Sequence, residues 1–327
     1  MTMLKAYVEQ AQKIVILGHV NPDGDCAGSC LAVYNYIREQ YPDKTVDVYL
    51  EPVSRKFSYL SGYDQIHNEP KDETYDLCIC MDSSDKERLG EFVRYFDTAD
   101  QTICIDHHVT NPGYAMDNVI EGQASSASEV VFFQMDEEKI SKAVAECIYT
   151  GIVHDTGVFK HSNTSQRTME VAGKMISRGI DFSSIIDDSF YRKNYHQTQI
   201  LGRALLESVT FCDGQCIFTV VRKKDMEFYG VDKSDLDGIV DQLRVIEGVE
   251  VAIFLYEVGI HMFKVSMRSN KKVDVSRIAA YFGGGGHVKA AGCTMSGSVH
   301  DVVNNLSEHI EKQLDEIRQL EQENADA

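Results

Sequence analysis

Positive charge is scarce in this sequence. Thirty-two Lys and Arg residues stand against 51 Asp and Glu over 327 positions, a formal net charge of −19. Neutralising a long phosphate backbone takes a broad basic surface, so the deficit argues against a binder of long nucleic acid duplex. A short phosphorylated ligand, held by a local site and metal ions, stays within reach. A CxxC pair is also missing, although nine cysteines are present. Cys78, Cys80, Cys104 and Cys147 lie in apolar runs, which reads as reduced core thiols of a cytoplasmic protein and not as a disulfide framework. No apolar run reaches the length of a membrane span, so no membrane partner is expected. Ile14–Leu17 is too short, and too close to Glu9, for the core of a signal peptide. Nowhere between 191 and 208 is there a Pro-, Gly- or Ser-rich stretch, and no internal repeat is visible.

What is present fits an ordinary globular chain, 43% hydrophobic and 25% charged. The length predicts two domains. Lys13–Leu17, Thr45–Leu50, Tyr75–Met81 and Thr102–Ile105 read as strands. Helices are predicted over 27–39, 85–96, 124–135, 140–153, 167–177, 183–191 and 196–206. Strands alternating with helices predict an α/β fold with a doubly wound, mainly parallel sheet. This domain is placed at 1–190, followed by a connecting helix at 191–207. A smaller α/β domain at 208–327 opens with a hairpin around Asp213-Gly214 and lies across a cleft. It continues with strands at 249–256 and 262–267, a helix at 274–281, a loop at Gly283-Gly284-Gly285-Gly286-His287, and an amphipathic terminal helix that packs on its own domain.

The polar residues after the strands are the informative ones. His19, Asp23 and Asp25 follow the first strand, Asp82 follows the third, and Asp106, His107 and His108 follow the next. Asp155 ends a helix. In a doubly wound sheet the C-terminal strand ends converge on one edge, where ligands bind. Several carboxylates gathered there repel one another and raise each other's pKa values. Divalent cations resolve the repulsion, and oxygens mixed with imidazoles suit Mn²⁺ best. Two such ions roughly 3.5–4 Å apart would acidify a water and stabilise charge on a phosphoryl oxygen, with Asp82 placed to bridge them. The chemistry expected is in-line hydrolysis of a phosphoester or phosphoanhydride.

Four segments, His19-Val20-Asn21-Pro22-Asp23-Gly24-Asp25, Asp82-Ser83-Ser84-Asp85, Asp106-His107-His108 and His154-Asp155-Thr156-Gly157, resemble the four motifs of the DHH phosphoesterase superfamily. Gly283–His287 with Ala290-Ala291-Gly292 resembles its C-terminal DHH-associated domain. The resemblance covers nearly the whole chain and is nearest the compact oligoribonuclease, or nanoRNase, branch. It implies that His19, Asp23 and Asp82 hold one metal, and Asp25, Asp82, His107 and Asp155 the other. His108 would contact the scissile phosphate. Asp106 would be a ligand or a partner orienting His107. The implied cofactors are two Mn²⁺, with Mg²⁺ or Co²⁺ as substitutes.

For substrate, the glycine run is read as backbone amides open to an anion. By the resemblance, that loop and His287 hold a terminal nucleotide or phosphate. Arg268 is the candidate phosphate clamp, with Lys271, Lys272, Arg277 and Lys289 adding local positive charge. The implied activity is hydrolysis of short RNA and of adenosine 3',5'-bisphosphate. Alternatives are a cyclic di-AMP or linear dinucleotide phosphodiesterase, and a non-catalytic nucleotide sensor. Inorganic pyrophosphatase is disfavoured by the glycine-His loop. A homodimer is the oligomer expected by analogy.

Overall fold

A computed structural model describes residues 2–325. The chain divides into two compact units, one ending at Arg192 and the next starting at Lys193.

The first unit runs α1 (Met3–Gln10), β1 (Lys13–Leu17), α2 (Gly24–Gln40), β2 (Thr45–Tyr49), β3 (Ile66–His67), β4 (Leu77–Met81), α3 (Val93–Thr98), β5 (Gln101–Asp106) and β6 (Asp117–Ile120). Four helices follow: α4 (Ala127–Phe132), α5 (Lys142–Asp155), α6 (Gln166–Ser177) and α7 (Phe182–Ile186). The strands form one six-stranded sheet in the order β3-β2-β1-β4-β5-β6, and every pairing is parallel. Both faces of a parallel sheet are covered, so its strands are apolar throughout rather than alternating. On β1 and β4, Ile14, Ile16, Leu77, Ile79 and Met81 join the larger core with α2 and α5. Val15, Leu17, Cys78 and Cys80 face a second core around Tyr49, Phe92 and Tyr95. The chain reverses winding between β1 and β4, and this topological switch opens the crevice at the strand C-termini.

The second unit runs α8 (Tyr195–Leu206), β7 (Val209–Phe211), β8 (Cys216–Val221), α9 (Lys223–Tyr229), α10 (Ile239–Arg244), β9 (Val251–Gly259), β10 (Met262–Ser269), α11 (Val275–Tyr281), β11 (Gly285–His287), β12 (Ala290–Ser296) and α12 (Val299–Ala325). Its mixed sheet has the order β11-β12-β10-β9-β8-β7, antiparallel except for β8 with β9. Val302, Leu306, Ile310 and Leu314 of α12 pack into this unit's own core.

Three local expectations change. The helix predicted over 85–96 is a 3₁₀ segment, Glu87–Phe92, broken at Gly90 with φ +59° before α3 begins. The helix predicted over 183–191 ends in a π-helical turn, Asp187–Tyr191. The glycine run is not an open loop. The amides of Gly283 and Gly284 donate to the carbonyls of Ala280 and Ala279, closing α11 in a Schellman motif, and Gly285–His287 then pairs with β12.

Candidate metal centre

The switch-point crevice collects the polar ends of β1, β4 and β5. Asp23 caps α2, accepting from the amides of Asp25 and Cys26 at 3.0 Å each. Its Oδ1 lies 3.7 Å from His19 Nε2, and Asp82 Oδ2 lies 3.6 Å from the same nitrogen. Asp82 Oδ1, the other oxygen, is 3.5 Å from His107 Nε2 and 3.7 Å from His108 Nδ1. Asp155 Oδ2 completes the row, 3.6 Å from His107 Nε2. These gaps are too long for hydrogen bonds. Two ligands on one ion at about 2.1 Å, set at right-angle to tetrahedral geometry, stand about 3.0–3.4 Å apart. The side chains are therefore spread almost as co-ligands are.

Asp82 is 2% exposed, and its Oδ1 has no hydrogen-bond partner. An unpartnered carboxylate oxygen buried in protein is costly, and a cation removes the cost. Asp82 also adopts φ +52°, an uncommon conformation that Asp tolerates better than most residues. The imidazoles are prepared as donors too. His19 Nδ1 lies 2.8 Å from the carbonyl of Val20, which can only accept, so Nδ1 keeps its proton and Nε2 is the nitrogen a cation would take in exchange for a proton.

Charge follows the same pattern. Burial opposes an imidazolium at His19, yet Asp23 and Asp82 outweigh it and push its pKa up to about 12. At His107 burial is again outweighed, by Asp82, Asp25 and Asp155, and the value reaches about 10. Burial would raise Asp82, but the two imidazoles hold it well below the usual carboxylate range. Burial lifts Asp155 to about 6, with Asp82 and Asp23 adding to it. The cluster is short of positive charge, and protons and divalent ions compete for the same lone pairs.

Asp25 and Asp106 sit deeper. Asp25 is 1% exposed and accepts from the amides of Ala127 (2.6 Å) and Ser128 (3.0 Å), at the N-terminus of α4. It still groups with His107 and Asp155 as a potential ion-holding set. Asp106 is fully buried. Its Oδ1 accepts from the His107 amide and from His108 Nδ1, both at 2.8 Å, and its Oδ2 accepts from Asn111 Nδ2 at 2.7 Å. The ring it orients is therefore that of His108, rather than that of His107.

Sequence reasoning missed four supporting residues. Asn111 ties Asp106 to the carbonyl of Ser83. Only its place three residues past His108 could have hinted at this. Cys26, buried at the start of α2, has its sulfur grouped with His19 and Asp82. Gly28 and Gly151 let α2 and α5 touch. A Cβ on Gly28 would meet the Cys147 carbonyl oxygen at 2.6 Å, and one on Gly151 would meet Asp25 Oδ1 at 2.5 Å. This contact brings Asp25 and Asp155 into one cluster.

The predicted substrate residues lie in the second unit. Arg268 Nε is 3.2 Å from Asp241 Oδ1, and its Nη1 donates to the Met267 carbonyl, so part of the guanidinium is committed within the unit. The loop after it is shaped by Glu250, whose carboxylate accepts from the amides of Lys271 and Val273. Gly283 (φ +72°) and Gly284 are spent on the helix cap, which leaves Gly285, Gly286 and His287 on an exposed edge strand.

The N-terminal domain model of the DHH family matches residues 13–152, and the DHHA1 domain matches residues 213–320. The bifunctional oligoribonuclease and PAP phosphatase NrnA of Thermus thermophilus is 30% identical over 293 residues, covering 87% of this chain and 84% of that one. This chain is a DHH-family phosphoesterase. The protein of the same name from Bacillus subtilis is 28% identical over 289 residues, 86% of this chain and 89% of that one. An exopolyphosphatase-related protein from Bacteroides fragilis, known as a crystal structure, superposes with a TM-score of 0.86 at 28% identity, covering 94% of each chain. Among the described residues of this DHH protein, no helix is long and apolar enough to cross a membrane.

Proposed function

We propose that this protein is a cytoplasmic, Mn²⁺-dependent phosphoesterase that hydrolyses short oligoribonucleotides to mononucleotides and adenosine 3',5'-bisphosphate to AMP. One observation carries the reading. Asp82 is buried, turns one oxygen toward His19 and the other toward His107, and leaves Oδ1 without a hydrogen bond. That is what a carboxylate shared by two cations requires. The names borne by the two NrnA relatives support the substrate class.

His19, Asp23 and Asp82 would hold one ion, and Asp25, Asp82, His107 and Asp155 the other. When bound, the two ions would acidify an attacking water and offset charge on the phosphoryl oxygens. His108 donates a hydrogen bond from Nδ1–H to Asp106, so its Nε2 is the atom left for substrate. The contact with Asp106 raises the pKa of His108, which suits Nε2–H to donating toward the scissile phosphate. The exposed edge Gly285–His287, with Gly283, Gly284 and Arg268 behind it, is the proposed substrate-binding element of the DHHA1 domain.

The test is a substrate panel with Mn²⁺ and with chelator: a five-nucleotide RNA, a linear dinucleotide, cyclic di-AMP, adenosine 3',5'-bisphosphate and pyrophosphate, with Asp82→Ala as control. Stepwise release of mononucleotides and formation of AMP, both lost with chelator and in the variant, is the expected result. Turnover confined to dinucleotides would reassign the substrate. Tight binding with no turnover would leave a sensor.

A further inference from the structure

We propose that Phe190 and Tyr191 form a stacking platform for a nucleobase of the substrate. The proposal rests on the nucleotide reading above and specifies how the same site recognises its ligand. The two residues lie on the π-helical turn that ends α7, closed by the Arg192 amide donating to the Asp187 carbonyl at 2.6 Å. Single π-helical turns are frequent at functional sites. Here the turn puts two adjacent rings at the surface, 39% and 59% exposed; Tyr59, Phe133 and Phe182 of the same unit are exposed as well, but none of them is one of two neighbouring exposed rings. The rings of Phe190 and Tyr191 meet edge to face, with centroids 5.3 Å apart.

A chain of contacts links this pair to the candidate metal centre. Phe190 lies 5.5 Å from the ring of His154, the residue before Asp155. His154 Nε2 is 2.9 Å from Ser189 Oγ, inside the π turn. That hydroxyl donates its own hydrogen to the Ile185 carbonyl at 2.6 Å, so it accepts from His154 Nε2–H. On its other side the His154 ring lies against Gly24, where a Cβ would come within 2.2 Å of Cγ. Gly24 stands between Asp23 and Asp25. The rings thus lead from the two candidate ion-holding sets to solvent without leaving this unit. Lys56, 5.0 Å over the neighbouring Phe57 ring, sets a cation beside them in a strongly acidic chain. An ester phosphate held by cations at these carboxylates would have its nucleoside close by, and aromatic faces accept any base.

The experiment compares the wild type with Phe190→Ala, Tyr191→Ala and Tyr191→Phe on a base-bearing dinucleotide and on the same molecule made abasic at one residue or the other. Kinetics are followed by the molar mass of each protein in solution. The wild type is expected to favour the base-bearing substrate. Each alanine variant should lower that preference in kcat/KM by roughly ten-fold or more, mainly through KM. Tyr191→Phe should retain it, because the ring face remains. An equal loss on base-bearing and abasic substrates, or no loss at all, overturns the platform. So does a change of oligomeric state with the preference intact, which would make the pair a self-association patch. If the wild type turns over no nucleotide, the proposed function falls and takes the platform with it. A wild type that cleaves the dinucleotide while the variants match it overturns the platform alone.

Discussion

Asp106 holds His108 through a 2.8 Å hydrogen bond from Nδ1, and Asp106 is itself fully buried and unable to reach solvent for a substitute partner. The pair fixes which nitrogen of His108 faces outward. It also separates two kinds of carboxylate in one crevice: Asp82, with an oxygen lacking a partner, and Asp106, with both oxygens satisfied by protein.

Replacing Asp106 with Asn should therefore spare metal binding and impair turnover. An amide offers one acceptor where the carboxylate offers two, so either His108 or Asn111 loses its partner. Turnover should fall roughly 10–100-fold, the usual scale for an orienting group. Metal stoichiometry by plasma mass spectrometry should stay at the wild-type value. Loss of metal in step with activity would instead make Asp106 a ligand.

Removing divalent ions should destabilise the fold. Ions bound only by the folded chain add about 2.7 kcal/mol at one hundred times the dissociation constant. Mn²⁺ should raise the melting temperature of chelator-treated protein, and Asp82→Ala should abolish most of the rise. A variant that still shifts by the full amount would show that Asp82 is not shared by both ions.

His154 makes stability depend on pH in a defined direction. Burial depresses its pKa from 6.5 to about 4 in the folded chain, with Lys56 contributing. Above the unfolded value both states are neutral, and its contribution is complete. As pH falls from 6.5 through about 4, the unfolded chain takes up the proton first, and up to about 3 kcal/mol is lost. Urea titrations of chelated protein at several pH values in that window should show a shallower fall for His154→Phe. Parallel curves for the two proteins would contradict the assignment.

Gly151→Ala tests the helix crossing. Its Cβ would lie 1.9 Å from Ser128 Oγ as well as 2.5 Å from Asp25 Oδ1. Overpacking of this kind costs about 1–3 kcal/mol. The unfolding free energy from urea titration should drop by that amount, and metal content should fall with it because Asp25 is displaced.

The sequence was most legible where chemistry and periodicity coincide. The apolar runs at Ile14–Leu17, Leu77–Met81 and Ile103–Ile105 are strands buried on both faces, and the polar residues after them do meet at the switch point. The family was legible through the four motifs. Less legible was anything set by backbone conformation or by distant packing. Nothing local announces that Gly90 breaks a helix, that Gly283 and Gly284 serve a helix cap, or that residues 187–191 wind as a π turn. Short strands such as Ile66–His67 are too brief for a periodic signal and exist because a neighbour pairs with them. Asp106 shows the same limit, since His107 and His108 are equally plausible partners until the rings are placed.

The contact of α2 and α5 through Gly28 and Gly151 has an electrical consequence. The two helices run antiparallel, so the first turn of α2 and the last turn of α5 open side by side onto the crevice. A helix carries roughly half a positive charge at its start and half a negative charge at its end. The crevice is thus polarised across a few ångströms before any ligand arrives. Its α2 side eases the crowding of Asp23 and Asp25 and favours a phosphate. Its α5 side, at Asp155, favours a cation.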